Sequence, residues 1–235
     1  MRNASKIVMV SFSGIDGAGK STQIGRLEAR LAGAGIRVRK LAFWDDVVFL
    51  SRFRAGVSHR MLGGERGVGS PEKPVQRADK NVQRWYLTLL RSAFYLADAL
   101  SLRRAVIKAR AGDPDVVIFD RYIYDQLVNV PPSWLGRRYI GLILRLAPRL
   151  DRAFLLDADP EAALQRKPEY PIEFLRRYRD AYHQLCPMVT EMVMVPPADV
   201  DQVEVAIARE FDKRTSLRTS HPLQTEQITG QARSQ

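Results

Sequence analysis

The stretch Lys6-Ile-Val-Met-Val-Ser-Phe-Ser-Gly-Ile-Asp-Gly-Ala-Gly-Lys-Ser-Thr-Gln23 decides the fold. Its first half is apolar at most positions, the pattern of a strand buried on both faces of a parallel sheet. Its second half matches Gly-x-x-x-x-Gly-Lys-Ser, and the apolar positions Ile24, Leu27 and Leu31 follow at helical spacing until Gly33 or Gly35 stops them. A chain of this length shows that motif by chance roughly once in a hundred. Its place between a strand and a helix makes chance rarer still. Glycines at this spacing let the backbone curl until successive N–H groups face one anion, and the helix N-terminus adds partial positive charge. Gly14, Ile15, Asp16, Gly17, Ala18, Gly19, Lys20, Ser21 and Thr22 are therefore expected to cradle the phosphates of ATP. Lys20 would reach the β- and γ-phosphates, and the Ser21 hydroxyl would ligate magnesium.

Outward from this motif the chain alternates strands and helices. Arg37–Trp44, Asp115–Asp120, Ala153–Asp157 and Met192–Val195 read as further strands. Helical patterns run over Val82–Arg110, Trp134–Leu146, Ile172–Leu185 and Val203–Phe211, and Asp159-Pro160-Glu161 opens another. This order predicts an α/β fold in three layers, a five-stranded parallel sheet with helices on both faces. One P-loop domain over residues 1–212 is expected. Residues 63–81, rich in Gly, Pro and charge, are expected to form a mobile loop, and 166–172 a short lid. Residues 213–235 are polar without periodicity and are expected to be a disordered tail.

The 235 residues are 46% apolar, carry a formal charge of +11 and contain a single cysteine, Cys186. That composition suits a full core and excludes an internal disulfide framework. Met1 to Lys6 lacks the apolar stretch of a signal peptide, and no apolar run approaches membrane-spanning length, so a cytoplasmic protein without membrane contact is expected. The basic balance fits phosphate-bearing small molecules, because the arginines are scattered and no nucleic-acid-binding motif is present. Stable nucleic-acid binding is not expected. His59, His183 and His221 have no metal-ligand spacing.

Asp120 closes its strand where a carboxylate near the metal is expected, although a helix cap would explain it too. Arg121 would point into the cleft at the carboxyl edge of the sheet, either to grip a phosphate with its planar fork or as a surface ion pair. Tyr95 is either a platform for a flat base or core. Arg91, one turn earlier, either reaches an acceptor phosphate or lies on a solvated face.

Together these residues resemble the thymidylate kinase family. Phe12-Ser-Gly-Ile-Asp-Gly-Ala-Gly-Lys-Ser-Thr-Gln23 is similar to its phosphate loop, Asp120-Arg121-Tyr122 to its Asp-Arg-aromatic motif, and Leu156–Arg166 to the segment leading to its lid. The resemblance covers residues 6–211. It implies that Asp16 contacts the sugar hydroxyl of a nucleotide acceptor, that Tyr95 stacks on the base and that Arg121 holds the acceptor phosphate. It also implies that Arg166 is a basic catalytic position and that Asp98 belongs to the acceptor-binding helix. The chain departs from the family at Ala99, where an arginine usually helps read thymine. It departs again at Asp125 and Val128-Asn129-Val130, and at Phe43-Trp44-Asp45-Asp46, which replaces an Arg-Glu-Pro-Gly-Gly loop. The lid is short, with Lys167 and few arginines.

The expected function is phosphoryl transfer from ATP to a nucleoside monophosphate, with dTMP leading. Lys20, Asp120, Arg121 and Arg166 would be catalytic, Ser21 and Asp120 would hold magnesium, and Asp16, Arg91, Tyr95 and Arg121 would bind the acceptor. A kinase acting on a nucleoside or another hydroxyl compound, with Asp16 or Asp125 as base, is the alternative, as is an ATP-binding regulatory module. A homodimer is the assembly allowed for.

Overall fold

A computed structural model of the chain describes residues 7–48 and 85–215. β1 (Val8–Ser13) is followed by α1 (Lys20–Gly33), β2 (Val38–Ala42) and a π-helical turn (Phe43–Val47). After α2 (Trp85–Arg110) come β3 (Val116–Asp120), the short α3 (Tyr124–Leu127) and α4 (Trp134–Leu146). β4 (Arg152–Leu156), α5 (Pro160–Arg166), α6 (Ile172–Leu185), a 3-10 turn (Cys186–Met188), β5 (Met192–Val195) and α7 (Val200–Thr215) complete the order. The strands form one parallel sheet in the order β2-β3-β1-β4-β5.

Because strand side chains alternate, the sheet has two cores. Val8, Val10 and Phe12 of β1 face one side with Ile118 and Phe154, where α1 brings Ile24, Leu27 and Leu31 and α7 brings Ile207 and Phe211. Met9, Val117 and Phe119 face the other, covered by Leu102 and Val106 of α2, Ile140 and Ile143 of α4, and Tyr182 and Leu185 of α6. The basic helix α4 thus turns its apolar stripe into this core, beside α2.

Several boundaries differ from expectation for local reasons. β2 ends at Ala42, two residues early. The Asp46 carboxylate accepts the Ala42 N–H at 2.7 Å, and Phe43 turns fully into the core. The last helix starts three residues early, where the Asp199 carboxylate caps the N–H groups of Asp201 and Gln202, and it runs to Thr215. Lys213 is therefore helical and pairs with Glu210, whereas the expected tail began at that residue. α3 had no sequence expectation. The expected loop at 63–81 and the tail beyond Thr215 lie outside the described residues.

Candidate active site

The carboxyl ends of β1, β3 and β4 lie side by side, with Phe12 opposite both Asp120 and Phe154. The loop after β1 therefore emerges at the centre of the sheet. Gly14 and Gly17 hold φ values of 138° and 84°, in the region that favours glycine. A Cβ at Gly14 would come within 2.4 Å of the Leu156 carbonyl oxygen, and one at Gly17 within 2.4 Å of the Ala163 carbonyl oxygen. The loop is thus pressed against the end of β4 and against α5.

Lys20, only 7% exposed, donates from Nζ to the carbonyls of Gly14 (2.9 Å) and Ile15 (2.8 Å). An ammonium has three N–H donors, so one remains for a phosphate. Burial pushes Lys20 down to about 8, and Arg121 adds to this, while Asp16, Asp125 and Asp120 favour its charge. Ser21 and Thr22 are exposed at the start of α1.

Arg121 follows β3 in a left-handed backbone conformation, φ 67°, with its N–H on the Phe12 carbonyl at 3.0 Å. An arginine rarely adopts this backbone, and the conformation aims its side chain across the cleft. Nη2 pairs with the Asp16 carboxylate and Nη1 with Asp125 at 2.8 Å. Burial alone would raise the Asp16 carboxyl, but Arg121, Lys20 and Lys167 outweigh it and hold it below its ordinary value.

Asp125 is 1% exposed and has four donors. Its Oδ1 accepts from Arg121 and from the Tyr182 hydroxyl at 2.8 Å, and its Oδ2 accepts from Ser13 Oγ at 2.7 Å and the Tyr122 N–H at 3.3 Å. With two donors on each oxygen it has no acceptor site left for a substrate hydroxyl. Tyr182 is carried by an aromatic ladder, Tyr170, Phe174, Tyr178 and Tyr182, that comes at intervals of four residues into and along α6. Asp157, at the end of β4, binds Arg179 of the same helix through two contacts of 2.7 Å and so fixes α6 beside the cleft.

The structure thus brings Asp16, Lys20, Arg121 and the half-buried Asp120 together. Tyr95 is 9% exposed and belongs to the core beside Leu102 and Tyr122. Arg91 is half-buried on α2, one turn before Tyr95. Arg166 is exposed in the last turn of α5, with its Nε on the Ala162 carbonyl at 3.1 Å. The neighbouring Lys167 is the cation of this segment that acts on Asp16. Buried Asp98 accepts from Gln126 Nε2 at 2.6 Å, so the Gln126 amide oxygen faces away from it and has no hydrogen-bond partner among the described residues. The carboxylate can only accept, which fixes that orientation. Sequence reading had missed Gln126 and Tyr182. The four-residue aromatic repeat was the available signal for Tyr182.

A cavity of about 470 Å³ lies apart from the phosphate loop, between α6 and the segment joining α3 to α4, with Val130, Ile140, Phe174 and Tyr178 among its walls. Its walls include none of the loop residues, so it is not the phosphate cradle. Among the described residues no group of three or more His, Cys, Asp or Glu could hold a metal. One hydroxyl and one carboxylate, Ser21 and Asp120, remain as donors, the set suited to a magnesium that takes most of its ligands from phosphates and water. No helix of the described residues is long and apolar enough to cross a membrane.

A protein of Aeropyrum pernix named as a thymidylate kinase is 30% identical over 186 residues, covering 75% of this chain and 77% of that protein. The chain belongs to the thymidylate kinase family. A second relative so named, from Methanosphaera stadtmanae, is 27% identical over 203 residues and is covered over 94% of its length. A thymidylate kinase of Bifidobacterium longum subsp. infantis is 27% identical over 224 residues, 90% of this chain. No protein-family model matches the chain. As a thymidylate kinase family member the chain is a nucleotide kinase, a divergent one with the family's P-loop α/β fold.

Proposed function

We propose that this kinase transfers the γ-phosphoryl group of ATP to the phosphate of a pyrimidine deoxynucleoside monophosphate, with dTMP the first candidate. One observation carries the reading: the Arg121 guanidinium stands across the cleft from Lys20, with one edge anchored on Asp125 and the other on Asp16 at the cleft. A planar cation so placed can take a phosphate bidentately. Lys20 and the loop N–H groups would hold the transferred phosphoryl group, and Arg121 the acceptor phosphate, in line with it. The new bond forms between an acceptor phosphate oxygen and the γ-phosphorus as the bond to the bridging oxygen of ADP breaks. Ser21 and Asp120 would hold magnesium, which supplies positive charge to the outer phosphates.

The carboxylates favour an acceptor that is already anionic. A hydroxyl acceptor needs a base. Asp125 has no free acceptor site, and the Asp16 carboxyl is held below its ordinary value, which weakens it as a base. Ala99, fully buried, offers no polar reader, so discrimination among pyrimidines should be weaker than a charged reader would give.

The test is Arg121→Ala assayed with ATP, magnesium and dTMP. The acceptor KM should rise at least about tenfold, or turnover vanish, while ATP affinity stays within about twofold. Equal loss for both substrates would remove Arg121 from the acceptor side.

A further inference from the structure

We propose that Asp125 is a positioning residue, a buried brace that sets the angle of the Arg121 guanidinium for phosphoryl transfer and ties it to α6. Arg121 has one carboxylate on each side, and the two differ in kind. Asp16 sits on the phosphate loop at 19% side-chain exposure, at the mouth of the cleft. Asp125 is 1% exposed and is itself fixed from three directions: by Ser13 at the root of the phosphate loop, by the Tyr122 backbone and by Tyr182 of α6. An acceptor phosphate can replace Asp16 without moving Asp125. The edge carrying Nη1 then stays fixed while the edge carrying Nη2 turns to substrate.

The hydrogen-bonding chemistry makes the carboxylate specific. Oδ1 and Oδ2 each face two donors, and Arg121 Nη1 and the Tyr122 N–H can only donate. An Asn amide at this position must set its own N–H₂ against one of them: against Nη1 it unfastens the guanidinium directly, against the Tyr122 N–H it loosens the brace's own seat, and in both orientations the charge that strengthens the Nη1 contact is gone. The same change removes a negative charge beside Arg121, which leaves that cation more attractive to a dianion. The two effects act on different quantities. Alignment governs kcat, and charge governs affinity.

The inference rests on the acceptor reading above, and its test has one arm that needs no acceptor. In free enzyme labelled with ¹⁵N-arginine, with the Arg121 signals assigned through Arg121→Lys, the two Nη groups should be resolved and slow to interchange in the wild type. They should average in Asp125→Asn. With dTMP and ATP, Asp125→Asn should lower kcat at least about tenfold with no weakening of dTMP affinity and with the ATP KM within about twofold. Tyr182→Phe, which keeps the charge and loosens its anchor, should lower kcat about two- to fivefold by the same route and remains informative if Asp125→Asn does not fold. Restricted Nη rotation in Asp125→Asn, an unchanged kcat in either variant, or parallel rises in both KM values would overturn the brace. If the wild type does not turn over dTMP, the acceptor reading falls, and the rotation measurement still decides Asp125.

Discussion

Lys20 shows what the site costs in stability. A lysine held below its ordinary value prefers the unfolded chain while it is charged. That cost is complete below the native value of about 8 and shrinks as pH rises toward 10.5. Lys20→Met keeps the apolar stem and removes the charge. Below pH 8 its melting temperature should equal or exceed that of the wild type, and the difference should narrow from pH 8 to 10. Thermal denaturation of nucleotide-free protein across that range checks the direction. A variant less stable than the wild type at pH 7 would show that the two loop carbonyl contacts outweigh burial. Lys20→Ala should lower phosphoryl transfer by at least about 100-fold through the lost charge partner. At this scale the sequence already showed Lys20, Asp16 and Arg121, because one contiguous motif and one strand end carry them. The contacts of Asp125 and Gln126 depend on residues far away in the chain, Ser13 and Tyr182 for one and Asp98 for the other, and no local pattern announces such pairs.

Elements set the loop's shape by contact rather than by motif. The Ala163 carbonyl oxygen in α5 stands where a Gly17 side chain would go, and α5 is opened by Asp159, whose carboxylate accepts the Ala162 N–H at 2.9 Å. Asp159→Ala should cost about 1 kcal/mol of stability, the usual worth of such a cap. Because α5 backs the loop, ATP affinity should fall with it. Chemical denaturation and nucleotide titration of the same variant measure both, and stability loss with unchanged ATP affinity would uncouple α5 from the loop. The cap and the Pro160 that follows were legible as a helix start, and the short apolar runs placed all five strands. Less legible was the end of β2. Phe43 and Trp44 prolong a strand pattern, and only the Asp46 side chain folding back on Ala42 ends it. The start of α7 was hidden likewise, since its cap Asp199 lies among polar residues with no apolar repeat to mark them.

At the scale of the whole molecule, the parallel order β2-β3-β1-β4-β5 puts the phosphate loop, Asp120 and Arg121 at one end of the sheet, between the two cores. Within the cleft the carboxylates Asp16, Asp120 and Asp125 stand against the cations Lys20 and Arg121. The central claim is that the acceptor presents a phosphate rather than a hydroxyl. ADP formation by the wild type with ATP and magnesium, measured side by side on dTMP and on thymidine, tests it most directly. The account predicts ADP released in step with dTMP phosphorylated and none above background with thymidine. Turnover of thymidine with dTMP inert would contradict it.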